Sequence, residues 1–177
     1  IVGNILDEYD PDEDNIQIIG GAYLMKGLTP LEDITRTLGI TFDDNLITGN
    51  KTIDEQHKEL IDRIQQFVSA CESEDARVKA IKMLDYLDEY TEFHFKEEEK
   101  LQKDVDYPGL EEHIKKHEEF RHTVKELYDY LDENEGPDEK FMEQVKINVI
   151  DWLFGHIKTF DRSVAEYINI YDNPERL

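Results

Sequence analysis

The sequence predicts a mainly all-α fold, an antiparallel up-down four-helix bundle preceded by a short β/α segment. Apolar residues recur with a period near 3.6 along four long stretches of the chain, which is typical of helices with one buried face. Turn signals at Tyr107-Pro108-Gly109 and Gly136-Pro137 leave only short connections between the later helices. Long amphipathic helices joined by short connections pack as an antiparallel bundle.

The first 41 residues form a separate β/α segment in this prediction. Asn15–Ile19 and Ala22–Met25 have the composition of short strands, and Gly20-Gly21 between them is a hairpin signal. Thr29-Pro30 fits the N-cap and first position of a short helix that ends at Gly39. A segment of this size buries little core by itself.

Residues 42–177 form the predicted bundle. Its first helix is expected to begin at Thr52, because Thr52 and Glu55 have the spacing of a capping box. The second helix is predicted from about Ala76 to Lys103, the third from about Leu110 to Asn134, and the fourth after Gly136-Pro137. Their apolar faces provide the expected core, which consists of Ile53, Leu60, Ile61, Ile64, Phe67, Val68, Cys71, Ala80, Ile81, Leu84, Leu87, Leu101, Leu110, Ile114, Val124, Leu127, Leu131, Phe141, Val145, Val149, Trp152, Phe160 and Val164.

The composition excludes several classes of function. Acidic residues outnumber basic ones 43 to 20, giving a formal net charge of −23, which disfavours binding to nucleic acid or anionic lipid. No apolar run approaches the roughly 20 residues of a membrane helix, so no membrane insertion is expected. The single cysteine, Cys71, excludes an internal disulfide framework and a cysteine-based zinc or iron–sulfur site. Together these features favour a cytoplasmic protein.

Five of the six histidines fall on the inward faces of the predicted helices. His94 and Glu98 are four residues apart, so they project from one helix face one turn apart. The full set of candidate metal ligands is His57, His94, Glu98, His113, His117, His156 and Asp161. Burying so many imidazoles and carboxylates without a cation is costly for each unpaired group, and the sequence therefore predicts a metal centre.

The number of donors indicates which metal the centre holds. Five imidazoles and two carboxylates are too many ligands for one tetrahedral zinc ion. Two octahedral ions offer about twelve positions, of which the imidazoles, two bridging carboxylates and one bridging oxo or hydroxo group fill about eleven. One position is left for a small ligand, and nitrogen with carboxylate donors favours iron over manganese. The Glu-x-x-His pattern of ferritin-like sites and the His-Glu-x-x-His pattern of zincins are absent.

Several motifs around these ligands occur together. They are Ile53-Asp54-Glu55-Gln56-His57, His94-Phe95-Lys96-Glu97-Glu98, Tyr107-Pro108, His113-x-x-x-His117 and Trp152-Leu153-x-x-His156-Ile157-x-x-x-Asp161. With them, the stretch from Phe42 to about Ile170 resembles a hemerythrin domain of the bacterial form. The resemblance implies reversible dioxygen binding at a non-haem di-iron centre, as carrier, store or sensor, and a binding protein is expected rather than an enzyme. Two alternatives stay open: a di-iron oxidoreductase acting on peroxide or nitric oxide, and an iron store or iron-responsive interaction module.

The resemblance also implies a role for each ligand. The ligands of a six-coordinate iron would be His113, His117 and His156. The ligands of a five-coordinate iron, where dioxygen binds, would be His57 and His94, and the bridging carboxylates would be Glu98 and Asp161.

Other residues near the motifs carry further expectations. Apolar candidates for the wall of the dioxygen pocket, which would exclude water, are Leu60, Phe95, Trp152 and Leu153. The sequence departs from the family at Phe42, where Trp is frequent, and at Gln102, where bacterial members usually have Met, and both changes are expected to affect packing. Glu97 and Glu99 point about 100° away from Glu98 around the helix and are expected to be solvated. His122, off the inward face, is expected to be exposed.

The spacing of the last two ligands does not fit a regular helix. His156 and Asp161 are five residues apart, which corresponds to about 140° of rotation. We expect a π-bulge between Gly155 and Asp161, which brings the two side chains nearly into line. The alternative is a regular helix from whose flank Asp161 reaches the metals.

The beginning of the chain carries a second, weaker resemblance. The stretches IVGNILDEYD and GGAYLMKGLTPLEDITRTLGI are similar to the first half of the transporter-associated domain of CorC/HlyC-type membrane proteins. This resemblance implies fusion or association with a membrane ion-transport protein, whose cytoplasmic tail would contain the hemerythrin domain as a sensing module.

Overall fold

A computed structural model describes residues 16–19, 22–25, 40–72 and 75–172. Two strands come first, β1 (Ile16–Ile19) and β2 (Ala22–Met25), and they pair antiparallel with Ile16 opposite Met25. This confirms the predicted hairpin. The helix expected after Thr29-Pro30 lies outside the described residues, and the domain boundary at residues 41 and 42 stays a prediction.

Four long helices form the bundle, which confirms the predicted all-α class. The first three are α1 (Lys51–Cys71), α2 (Ala76–Asp104) and α3 (Leu110–Glu133). The fourth, α4, is continuous over residues 139–172. Neighbouring helices run antiparallel, as the contacts between α2 and α3 illustrate: Gln102 meets His113 at one end, and Asp85 accepts a hydrogen bond from the hydroxyl of Tyr128 towards the other. None of the described helices is long and apolar enough to cross a membrane.

The start of α1 differs from the prediction. The side chain of Asn50 accepts hydrogen bonds from the backbone N–H groups of Thr52, at 3.1 Å, and Ile53, at 3.2 Å. Asn50 is therefore the N-cap, and the predicted capping box at Thr52 and Glu55 is wrong, because Thr52 already lies in the first turn. Two N–H groups satisfied by one amide oxygen fix this end of the helix next to the site.

The core follows the apolar stripes of all four helices. Most of the expected residues are buried, and those only partly buried are Ile81, Leu101, Leu110, Ile114, Trp152 and Phe160. Cys71 is buried as expected, with 7% of its surface exposed. Ile40 and Leu46, which precede the bundle, also belong to the core.

Helix α4 departs from regular α-helical geometry in two places. It is α-helical over Glu139–Val145, Trp152–His156 and Arg162–Asp172. Two π-helical segments lie between these parts, Lys146–Asp151 and Ile157–Asp161. The second segment confirms the predicted π-bulge, and the alternative of a regular helix is wrong. The first segment was not expected.

Candidate metal centre

The candidate ligands lie together inside one half of the bundle. Antiparallel packing brings the N-terminal parts of α1 and α3 beside the C-terminal parts of α2 and α4. Each helix contributes at least one donor to this half: His57 from α1, His94 and Glu98 from α2, His113 and His117 from α3, and His156 and Asp161 from α4. All seven side chains are buried, and the most exposed, His156, has only 4% of its surface accessible.

The donor atoms fall into two groups, and within each group they lie within 4.8 Å of one another. The three-residue group consists of His57, His94 and Asp161. The four-residue group consists of Glu98, His113, His117 and His156. Each group has donors enough to hold one metal ion.

Asp161 faces both groups. Its Oδ2 lies 3.0 Å from Nε2 of His57 in the three-residue group. Its Oδ1 lies 3.0 Å from Nε2 of His156 and 3.2 Å from Nε2 of His113 in the four-residue group. A carboxylate with one oxygen directed at each group has the geometry of a bridging ligand.

Glu98 lies beside Asp161, and the two carboxyl groups differ in their electrostatics. Oε2 of Glu98 is 3.5 Å from Nε2 of both His113 and His117. Burial and the adjacent carboxylate of Asp161 raise the pKa of Glu98 well above its ordinary value. Burial also acts to raise the pKa of Asp161, but the imidazoles of His156 and its neighbours outweigh this and hold the pKa well below its ordinary value. Two buried carboxyl groups in contact favour a bound cation, which allows both to ionise.

Most of the inward atoms of the site lack hydrogen-bond partners among the described residues. They include Nε2 of His57, His94 and His117 and all four carboxyl oxygens of Glu98 and Asp161. Buried polar atoms in native proteins are nearly always paired, so orphaned atoms that converge from four helices indicate a missing common partner.

The protonation of the histidines also fits a metal. Burial, with the nearby His57, lowers the pKa of His94 to about 3. Burial, with the nearby His113, likewise lowers the pKa of His117 below its ordinary value. These imidazoles are neutral near pH 7, which is the form that binds metal.

Three of the imidazoles have a second contact on their outer nitrogen. Nδ1 of His94 lies 2.8 Å from Oε1 of Gln56, Nδ1 of His113 lies 2.8 Å from the amide nitrogen Nε2 of Gln102, and Nδ1 of His117 lies 2.9 Å from Oε1 of Glu99. The acceptor oxygens of Gln56 and Glu99 keep the proton on Nδ1 of His94 and His117 and leave Nε2 of these two rings free to bind an ion.

Two of these outer partners correct the sequence interpretation. Glu99, expected to be solvated, has only 14% of its side chain exposed, because the flank of α2 that it occupies packs against α3. Gln102, expected to affect packing only, is fully buried and contacts a ligand. Its position four residues after Glu98 was a usable signal, since it places Gln102 on the ligand face of α2.

Aromatic rings pack directly on two of the imidazoles. Phe95 stacks on His117 with ring centroids 3.7 Å apart and planes at 9°. Trp152 and Phe160 stack on His156, at 4.5 Å and 5.3 Å. The contact of Phe160 was not predicted.

The expected wall of the dioxygen pocket stays a prediction. Phe95, Leu60 and Leu153 are buried, and Trp152 is partly buried. The closest ring stacking of Phe95 and Trp152 is with the four-residue group, whereas the open position is expected on the ion of the three-residue group.

Comparison with known proteins identifies the family to which this chain belongs. Residues 48–168 match the model of the hemerythrin HHE cation binding domain. The chain belongs to the hemerythrin family. A bacteriohemerythrin from Stenotrophomonas maltophilia (strain R551-3) is 27% identical over 135 residues, which cover 76% of this chain and 84% of that protein. A bacteriohemerythrin from Aquifex aeolicus (strain VF5) is 28% identical over 120 residues, which cover 68% of this chain and 90% of that protein.

A solved structure supports the fold of this hemerythrin domain. The crystal structure of a leucine-to-phenylalanine mutant superposes with a TM-score of 0.64 at 22% identity, covering 72% of this chain and 95% of that one. A hemerythrin domain implies a di-iron centre, and the two groups of donors described above can each hold an ion. The predicted cofactor is thereby confirmed.

Proposed function

We propose that this hemerythrin domain binds dioxygen reversibly at its di-iron centre, as an oxygen carrier, store or sensor. The observation that carries the proposal is the convergence of seven buried donors, with orphaned inward atoms, in two groups that share Asp161. When bound, the two iron ions supply the electrons for reversible dioxygen binding. The names of the bacteriohemerythrin relatives agree with this function.

The proposed ligands divide unequally between the two ions. The ion of the four-residue group would take His113, His117 and His156. The ion of the three-residue group would take only His57 and His94, and both ions would share the carboxylates. Asp161 supports this sharing because its two oxygens face different groups. With one oxo or hydroxo bridge, one ion would be complete and the other would keep one position open.

The surrounding residues keep the centre dry and its donors oriented. All seven donors are buried, so their lone pairs are directed into the interior rather than into water. Gln56 fixes the ring of His94, one of only two imidazoles proposed for the ion with the open position. Leu60 and Leu153 belong to the apolar core, which slows the entry of protons and water that would release a reduced ligand.

The test combines metal analysis with an optical spectrum of the reduced protein before and after exposure to air. The proposal expects two iron atoms per chain and an absorption change that reverses under vacuum. Immediate irreversible bleaching with release of peroxide would favour the oxidoreductase. Two irons with no spectral response to dioxygen would favour the iron store, and one zinc without iron would contradict the di-iron centre altogether.

A matched pair of histidine variants tests the ligand assignment. His117→Ala removes a proposed ligand, and we expect the loss of at least one iron, because a buried position is left unfilled. His122→Ala is the control, since His122 lies on the same helix with 72% of its side chain exposed. Equal iron content in the two variants would remove His117 from the ligand set.

The resemblance of the first 40 residues extends the proposal to a cellular role. Fusion or association with a membrane ion-transport protein would make the centre a cytoplasmic oxygen sensor rather than a carrier. Determining the complete coding sequence around this chain tests that role. An adjoining membrane-spanning transport domain is the expected result, and a protein without one would contradict the fusion.

A further inference from the structure

The outer partners of the imidazoles differ in charge. His94 and His113 each have a neutral amide at Nδ1, from Gln56 and Gln102. His57 and His156 have no hydrogen-bond partner at Nδ1 among the described residues. Glu99, at His117, is thus the one carboxylate bonded to the outer nitrogen of a candidate ligand in the described part of the chain.

Glu99 is also held in place by Arg121, which lies near the same carboxylate oxygen that contacts His117. Nη2 of Arg121 lies 3.6 Å from Oε1 of Glu99, and its Nε donates a hydrogen bond to Glu92. The guanidinium also lies over the ring of Phe95, 5.3 Å from the ring centroid, where the two groups attract each other electrostatically. Phe95 in turn stacks on His117. Glu99 and the ring that it bonds are therefore enclosed by one connected set of side chains.

We propose that Glu99 is a positioning residue that fixes the tautomer of His117 and stabilises the oxidised state of the iron bound to it. A carboxylate that accepts a hydrogen bond from the Nδ1–H group makes the imidazole a stronger electron donor through Nε2. Stronger donation, together with the negative charge itself, favours the ion of higher positive charge. The inference rests on the proposed function, because it takes His117 to be an iron ligand.

The consequence is an electronic difference between the two ions. The charge of Glu99 acts on the four-residue group, whereas the hydrogen-bond partner at Nδ1 of His94 in the three-residue group is the neutral amide of Gln56. The ion without an open position is thus the more readily oxidised of the two.

Three variants separate the charge of Glu99 from its hydrogen bond. Glu99→Gln keeps an acceptor oxygen but removes the charge, and Glu99→Ala removes both. Glu97→Gln makes the same chemical change two residues away on the same helix, at an exposed position, and serves as the control. The measurements are iron content after a chelator challenge and reduction potential by spectroelectrochemical titration.

The expected results differ between the two measurements. Glu99→Gln should retain iron as the parent protein does, with a reduction potential shifted upward relative to Glu97→Gln. Glu99→Ala should show the same upward shift and also hold iron about 10- to 100-fold more weakly. A Glu99→Gln potential equal to that of Glu97→Gln would overturn the inference while leaving the ligand set intact. A parent protein without iron would instead overturn the proposed function.

A second measurement does not depend on iron. In the zinc-substituted domain, nuclear magnetic resonance of the imidazole protons reports the hydrogen bond at Nδ1 of His117 directly. We expect a strongly downfield proton that moves upfield in Glu99→Gln, because a neutral acceptor makes the weaker hydrogen bond. An unchanged proton signal would show that Glu99 does not act on His117.

Discussion

The two halves of the bundle are formed by the same four helices but bury different kinds of side chain. One half, which we call the apolar half, is filled by side chains such as Phe67, Leu84, Leu131 and Phe141, none of them measurably exposed. The other half, which we call the metal half, buries seven polar side chains, and most of their inward atoms have no hydrogen-bond partner among the described residues. Because burial of apolar side chains stabilises a fold and burial of unpaired polar groups destabilises it, the apolar half supports the metal half in the absence of metal.

Cys71 illustrates the difference between the halves. It belongs to the core cluster of the apolar half, and burial raises the pKa of its thiol to about 12. A thiol that stays protonated is a poor metal ligand and a poor nucleophile. A residue type that often binds metal thus acts here as a small apolar side chain, because of the half of the bundle in which it lies.

The largest expected effect comes from removing the carboxylate shared by both groups. Asp161→Asn leaves one neutral oxygen where two charged ones were available, so the bridge is lost and neither ion keeps a charged donor from this residue. We expect iron to fall from two atoms per chain to less than one, with the helical content unchanged because the apolar half is intact. Metal analysis and circular dichroism measure the two quantities.

The control for this variant is Asp151→Asn on the same helix. Asp151 is exposed and pairs with Lys146 at 3.0 Å, so its loss should affect neither iron content nor helicity. If Asp161→Asn held two irons as firmly as the control, the role of Asp161 as a bridge would be refuted.

The second effect concerns the apolar half. Leu84→Ala removes a fully buried side chain, and we expect the free energy of unfolding of the metal-free protein to fall by about 2–5 kcal/mol. The folded fraction should still bind two irons, since Leu84 is not one of the candidate donors. Denaturant unfolding followed by circular dichroism gives the free energy. Val78→Ala, at a position 70% exposed on the same helix, should change it little.

The sequence predicted the metal half well where the signal lies within one helix. Spacings of four residues placed His94 with Glu98 and His113 with His117; His113 and His117 lie in the same group of donors, and His94 and Glu98 lie in the two groups of the one centre. The five-residue spacing of His156 and Asp161 predicted a π-bulge, and α4 has a π segment over Ile157–Asp161. These patterns need no knowledge of how the helices pack.

The sequence did not predict the environments of Glu99 and Gln102, because these depend on contacts with a neighbouring helix. Glu99 lies away from the ligand face of α2, and only the packing of α3 turns that flank into an interior position. The sequence predicted an effect of Gln102 on packing alone, because its partner, His113, is on another helix. The extra π segment at Lys146–Asp151 could not be predicted in this way, because no candidate ligand pair with an irregular spacing lies in it.

The third effect tests an outer partner of the four-residue group. Gln102→Met removes the amide that contacts Nδ1 of His113 and replaces it with a side chain of similar size. We expect iron binding to weaken by about 10- to 100-fold, because the ring loses the contact that orients it. Competition with a chelator measures the affinity. Gln66→Met on α1, where Gln66 is exposed, is the control and should bind iron like the parent protein.

The smallest expected effect concerns the origin of the π segment before Asp161. Gly155 is exposed in the α-helical part of α4 just before that segment, and a Cβ atom added there would have no atom within 4 Å. If convergence of the donors maintains the π segment, Gly155→Ala should raise the free energy of unfolding by about 0.5–1 kcal/mol, because alanine loses less backbone freedom on folding. Iron content should stay at two atoms per chain.

Gly49→Ala is the matched contrast for Gly155→Ala. The space around Gly49 is equally open, but its φ of +94° is strained for alanine, so that variant should be destabilised. Loss of iron in Gly155→Ala, measured beside denaturant unfolding, would mean that the segment depends on the flexibility of glycine instead.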